Sequence, residues 1–149
     1  MKKELILLLF CMLTYTSIAQ KSEDKKGVET ACYNYIDGFY QGDTTKLEAA
    51  LSPTLYKMGY WKDDKEGAYR HAGHMSYDKA MTYAKNVLKE KKFPKKDAPR
   101  HVEILNMGNH IAAAKITAWW GIDYALLSKS SGKWMIEQVL WEGPLDKDN

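Results

Sequence analysis

VETACYNYIDGFYQGDTTKLEAAL, residues 28–51, is the stretch whose reading decides the fold. Apolar residues recur at Val28, Ala31, Cys32, Tyr35, Ile36 and Phe39, the 3.6-residue spacing of a helix with one buried face. Glu29, Asn34 and Asp37 fall largely on the opposite side. Gly42 follows as a residue able to take the left-handed conformation that stops a helix. Asp43 then stands where a carboxylate caps the next helix, whose apolar side is Leu47, Ala50 and Leu51, and Ser52-Pro53 ends it. The stretch therefore predicts a helical pair with a continuous apolar stripe, over which a sheet must close.

Before this stretch, Lys2 and Lys3 precede an unbroken apolar run from Leu5 to Leu13, and Ser17-Ile18-Ala19 supplies small residues for a signal peptidase. The expectation is a signal peptide over 1–19, cleaved after Ala19, and export to the periplasm or the extracellular space. A run this short makes no stable membrane anchor, which takes about 20 residues. Phe10 before Cys11 departs from the small residue that a lipidation site wants there. Residues 20–27 are polar and read as a flexible lead-in, 28–144 as one domain, and 145–149 as a tail. A net charge of +3 over 149 residues argues against a nucleic-acid binder, which normally presents a strongly basic face. Of two cysteines only Cys32 lies in the domain, so the core has no internal disulfide, and Cys32 reads as a small buried hydrophobe.

After the helical pair, Thr54 to Tyr60 alternates as a strand, with Leu55, Lys57 and Gly59 on one face and Tyr56, Met58 and Tyr60 on the other. Trp61 to Met75 is a polar, glycine-containing excursion with no assigned structure. Ser76 caps a further helix with a stripe of Ala80, Met81, Ala84, Val87 and Leu88. Four strands complete the chain: Val102 to Met107, His110 to Trp120, Ile122 to Lys129 and Lys133 to Trp141. Gly108-Asn109 and Ser130-Ser131-Gly132 supply turns between them. Helices segregated to one face of such an antiparallel meander make an α+β fold.

Three segments carry a family resemblance. They are Tyr35-Ile36-Asp37-Gly38-Phe39-Tyr40 with Gly42-Asp43 and Leu47; His110-Ile111-Ala112-Ala113-Ala114-Lys115; and Asp123-Tyr124-Ala125-Leu126-Leu127 with Gly132-Lys133-Trp134. The chain resembles the nuclear-transport-factor-2-like (NTF2-like, SnoaL-like) superfamily and, within it, the Putative lumazine-binding family. The resemblance implies a cystatin-like cone: a strongly curved antiparallel sheet packed against about three N-terminal helices, enclosing a pocket and dimerising through its outer sheet face. Compared with ketosteroid isomerase in the same superfamily, Tyr35 falls at the oxyanion-hole tyrosine, Tyr124 at the second donor and Trp141 at a pocket-lining tryptophan. A one-residue slip in that spacing exchanges Tyr124 for Asp123. The catalytic base position becomes Gly59, and glycine supplies no base.

The resemblance thus implies a binder of a small, partly aromatic molecule, with Tyr35, Tyr56, Met58, Tyr83, Tyr124 and Trp141 as ligand-binding residues. No catalytic residue, cofactor or metal is assigned. The alternative is an acid–base enzyme of isomerase, cyclase or hydrolase type, with His71, His74 or Asp123 as the base. His71 and His74, near Asp63, Asp64 and Glu66, fall short as a metal site because nothing in that loop fixes a geometry. A further alternative is an accessory module whose cone is filled by Met58, Tyr83 and Trp141. Trp134 reads as core, and Trp119-Trp120 as one inward and one outward ring. The lysines from Lys85 to Lys96 read as a solvated helix end.

Overall fold

The stripe from Val28 to Phe39 is buried along its whole length and forms the centre of the core cluster. The computed structural model describes residues 2–63 and 65–145, with side chains from Gln20 onward; most of the expected tail lies outside the described residues, and the expected leader is described without its side chains. The elements are α1 (Lys2–Gln41), α2 (Thr44–Ala50), β1 (Leu51–Lys62), β2 (Tyr69–Met75), α3 (Tyr77–Glu90), β3 (Arg100–Met107), β4 (Ile111–Ala118), β5 (Gly121–Ser130) and β6 (Lys133–Gly143). They form an α+β cone: three helices against one face of a six-stranded curved sheet, ordered β2-β1-β6-β5-β4-β3. β1 runs parallel to β6, and every other pair is antiparallel. No helix of the described residues is long and apolar enough to cross a membrane.

Local chemistry sets the helix ends. Gly42, at φ 68°, turns the chain out of α1. The Asp43 carboxylate accepts from the Thr45 and Lys46 amides at 2.9 and 3.2 Å, capping α2. Ser76 accepts from the Lys79 amide at 3.4 Å and caps α3. Against α1 the sheet presents Ala112, Ala114, Ile116, Ala125, Leu127, Ile136 and Val139, all buried. Small residues on β4 leave room for the helix to pack over the sheet, where Tyr35 and Ile36 are completely buried.

Two segments depart from the sequence reading. Residues 69–75, within the unassigned excursion, form β2, which pairs Met58 with His74 and Tyr60 with His71. This edge strand is exposed at every position except Met75, so it carries no apolar period to read. Residues 20–27, read as a flexible lead-in, are instead turns of α1. Asp24 accepts from the Trp134 indole N–H at 3.0 Å, lies 2.5 Å from the Lys129 ammonium, and receives Gln20 Nε2 at 3.2 Å. Gly27 belongs to this latch, since a Cβ there would stand 2.6 Å from the Trp134 ring.

The Lys129 and Trp134 hydrogen bonds hold the Asp24 carboxyl below its ordinary 3.8. A carboxyl depressed by folding stabilises above its unfolded value, and that contribution is lost as pH falls through the folded value. Wild type is therefore expected to lose more stability than Asp24→Asn between pH 6 and pH 3, read as the shift in urea midpoint. Equal losses would show that the latch carries no weight.

Candidate functional site

Between α1, α3 and the inner end of the sheet lies a half-open cavity of about 180 Å³. Phe39 comes from α1, Tyr83 from α3 and Met75 from the end of β2; Trp119 and Trp120 sit on the β4–β5 turn. β1 and β6 add Trp61 and Trp141, and β1 also supplies Lys57, the one titratable lining group besides Tyr83. Aromatic edges meet around it: Tyr35, Tyr40 and Phe39 each make T-shaped contacts with Trp120 at 5.7–6.0 Å between centroids.

The polar end of this cavity is a buried cluster. Lys57 Nζ donates to the Tyr35 hydroxyl at 2.7 Å and to Asp123 Oδ2 at 3.2 Å. Tyr35 donates in turn to the same Asp123 oxygen. The Trp120 indole N–H donates to Asp123 Oδ1 at 2.9 Å. Asp123 is fully buried and the Lys57 side chain is 7% exposed. Three rings surround the Lys57 ammonium, with centroids of Trp141, Tyr35 and Trp120 at 5.1, 5.5 and 5.7 Å. Burial pushes the Lys57 ionisation down, against the opposing pull of Asp123. Burial, then the adjacent Asp123 charge, raises the Tyr35 phenol well above its usual range, so it acts as a neutral donor. Cys32, behind Tyr35 on α1, is pushed up to about 12, chiefly by burial, and is an inert thiol.

Of the residues expected to bind a ligand, Trp141 and Tyr83 line the cavity. Tyr35 is adjacent to it, but its hydroxyl is committed to Lys57 and Asp123 instead of pointing freely into the space. Three assignments are corrected. Tyr56 is 49% exposed, Tyr124 is 52% exposed, and Met58 shares the outer face with them. Strand alternation decides this: β1 turns Leu55, Lys57 and Gly59 inward, and β5 turns Asp123, Ala125 and Leu127 inward. Asp123 therefore takes the place given to Tyr124, next to Tyr35. The two histidines are also excluded from the cavity. His74 stacks on the Tyr56 ring at 4.2 Å and His71 meets Tyr60 edge-on at 5.6 Å, on exposed β2. Trp119 and Trp120 lie in a turn, and both reach the cavity. Trp134 is core, as read.

Lys57 is the cavity-lining residue of the polar cluster that sequence reasoning missed. The signal was present: strand alternation set a lysine inward between Leu55 and Gly59, where an unpaired charge is costly. Gly59 also gains a reason. A Cβ there would stand 2.1 Å from the Trp141 carbonyl oxygen and 2.4 Å from its indole Cδ1. The space that a catalytic carboxylate would need is filled by the Trp141 ring and strand.

The family described as Putative lumazine-binding matches residues 23–142. The chain belongs to that family. Solved NTF2-like structures share the fold. One from Silicibacter pomeroyi is 16% identical, with a TM-score of 0.61 over 81% of this chain and 96% of its own. One from Shewanella baltica is 18% identical, with a TM-score of 0.61 over 80% and 93%. A Mycobacterium tuberculosis protein is 11% identical, with a TM-score of 0.56 over 88% and 78%. All three are described as proteins of unknown function, and at these identities the likeness is one of fold. A search of curated protein sequences found no match. This Putative lumazine-binding chain therefore carries a small-molecule-binding fold, and the chemistry of its site has to be argued from its own residues.

Proposed function

We propose that the protein binds a small molecule built on one aromatic ring that carries an oxyanion or strong oxygen acceptor. The observation that carries this reading is Lys57 at the closed end of an aromatic cavity. Tyr35 and Asp123 engage two of its three N–H donors, so the third is free for a ligand oxygen. A cavity of about 150 Å³ holds one benzene. The 180 Å³ here thus suits one ring inside, with any second ring at the mouth near Tyr83 and Trp61. A two-ring lumazine fits less well than a benzoate-sized ligand.

The reading includes export after cleavage near Ala19, on the strength of the apolar run at 5–13. It also includes a homodimer through the outer sheet face, where Tyr56, Tyr124, Leu126 and Leu140 are exposed. Titration of tryptophan fluorescence with benzoate and 4-hydroxybenzoate tests the ligand class. Saturable quenching is expected, weakened by about 10- to 100-fold in Lys57→Met, as befits a lost hydrogen bond to a charged group. Equal affinity in both proteins would refute the role given to Lys57.

A further inference from the structure

We infer that Lys57 is a carbonyl-capturing amine: a small aryl aldehyde entering the cavity condenses with its Nζ to form an imine. This rests on the ligand reading above, because it uses the same ring-sized space, and it adds a covalent step to that reading.

Three observations converge on Lys57. Its amine ends inside a cavity walled by rings, so an imine formed there is shielded from the water that hydrolyses it. Burial drives its ionisation down from the ordinary 10.5, toward the unprotonated form that is the nucleophile. Tyr35 and Asp123, at 2.7 and 3.2 Å, stand within reach of every proton that must leave or return.

The step balances without an oxidant or reductant. The ammonium first passes a proton to Asp123, leaving an amine lone pair that attacks the carbonyl carbon. The carbon–nitrogen bond forms as the carbonyl π pair moves to oxygen, and that oxygen takes the proton from Asp123 as nitrogen sheds another to the carboxylate. The resulting carbinolamine loses its hydroxyl as water, protonated by Asp123, while the nitrogen lone pair makes the C=N bond. Ammonium plus carbonyl gives a protonated imine plus water, and Asp123 ends as the carboxylate it was at the start. The Trp141 and Trp120 faces that now surround the ammonium then surround the iminium. No other described lysine combines this burial with a cavity: the Lys46 and Lys129 side chains are 32% and 16% exposed and are engaged by Asp37 and Asp24.

The test is reductive trapping on the full chain with benzaldehyde and sodium cyanoborohydride at neutral pH, followed by peptide mapping. Lys57 is expected to be labelled at least about tenfold faster than any other lysine, because exposed amines stay protonated near 10.4. Excess benzoate should suppress that label and leave surface labelling unchanged. Labelling no faster at Lys57 than at surface lysines overturns the inference. If benzoate still quenches fluorescence in that sample, the ligand reading stands and only the imine falls. If benzoate neither binds nor protects, both fall together.

Discussion

Asp123→Leu is expected to destabilise the protein by about 3–5 kcal/mol at neutral pH, the usual consequence of removing one partner from a buried ion pair. The substitution removes the acceptor of three donors at once: Tyr35, Lys57 and Trp120. Little solvent reaches the cluster to replace it, since Asp123 is fully buried and the Lys57 side chain is 7% exposed. The uncompensated ammonium is the largest part of the loss. The double variant Lys57→Met, Asp123→Leu removes both charges, and it is expected to recover much of the loss despite carrying a second substitution. The pH dependence has a definite sign. Burial already depresses Lys57, and losing Asp123 depresses it further, so the folded variant sheds its proton earlier than the unfolded chain does. The unfolded state then binds more protons, and the variant gains stability as pH rises toward 10. Urea unfolding of wild type and the two variants at pH 7 and pH 9.5 checks each point. A loss under about 1 kcal/mol in Asp123→Leu would show the cluster to be solvated.

The second large effect concerns the position where related enzymes keep a base. Gly59→Asp is expected to yield no isomerase; it should lose about 3 kcal/mol or more, at the upper end of overpacking penalties. Both the backbone oxygen and the ring of Trp141 occupy the Cβ site, at 2.1 and 2.4 Å, so no side-chain rotation relieves the clash. β1 and β6 pair in parallel through Gly59 and Trp141, and they would have to separate. Gly59→Ala, with no charge to bury, should show most of the same loss. Trp141 also forms one wall of the cavity, so ligand quenching should fall with stability in both variants. Thermal unfolding of either variant at the wild-type temperature would contradict this account.

Local pattern made the helical framework legible. Tyr35 and Ile36 sit on a stripe whose period is complete within three turns, and Asp43 caps two amides that directly follow it. The strand faces were nearly legible. Leu55, Lys57 and Gly59 were read correctly as one face of β1, but the aromatic face was taken for the pocket because aromatics ordinarily mark one. In β5 the error was a single residue, and in a strand one residue exchanges inside for outside. That exchange separates Tyr124, on the surface, from Asp123, at the polar end of the site. The Asp24 latch was illegible because its partners, Lys129 and Trp134, are distant in sequence and ordinary in type. β2 was illegible because an edge strand exposed on both sides needs no apolar alternation. Lys57 was visible on the right face but had no stated partner until the fold brought Asp123 opposite it.

The central claim is that a one-ring oxyanion enters the aromatic cavity and rests on Lys57, and nitrogen-edited NMR tests it most directly. The five tryptophans each give an indole N–H signal. Titration with benzoate should move the Trp120 and Trp141 indole signals together with the Lys57 side-chain resonances. The Trp134 indole, held by Asp24 at the far end of the sheet, should stay in place. Shifts confined to Trp134 or to the exposed face around Tyr124 and Leu126, with Trp120 and Trp141 unmoved, would contradict the claim.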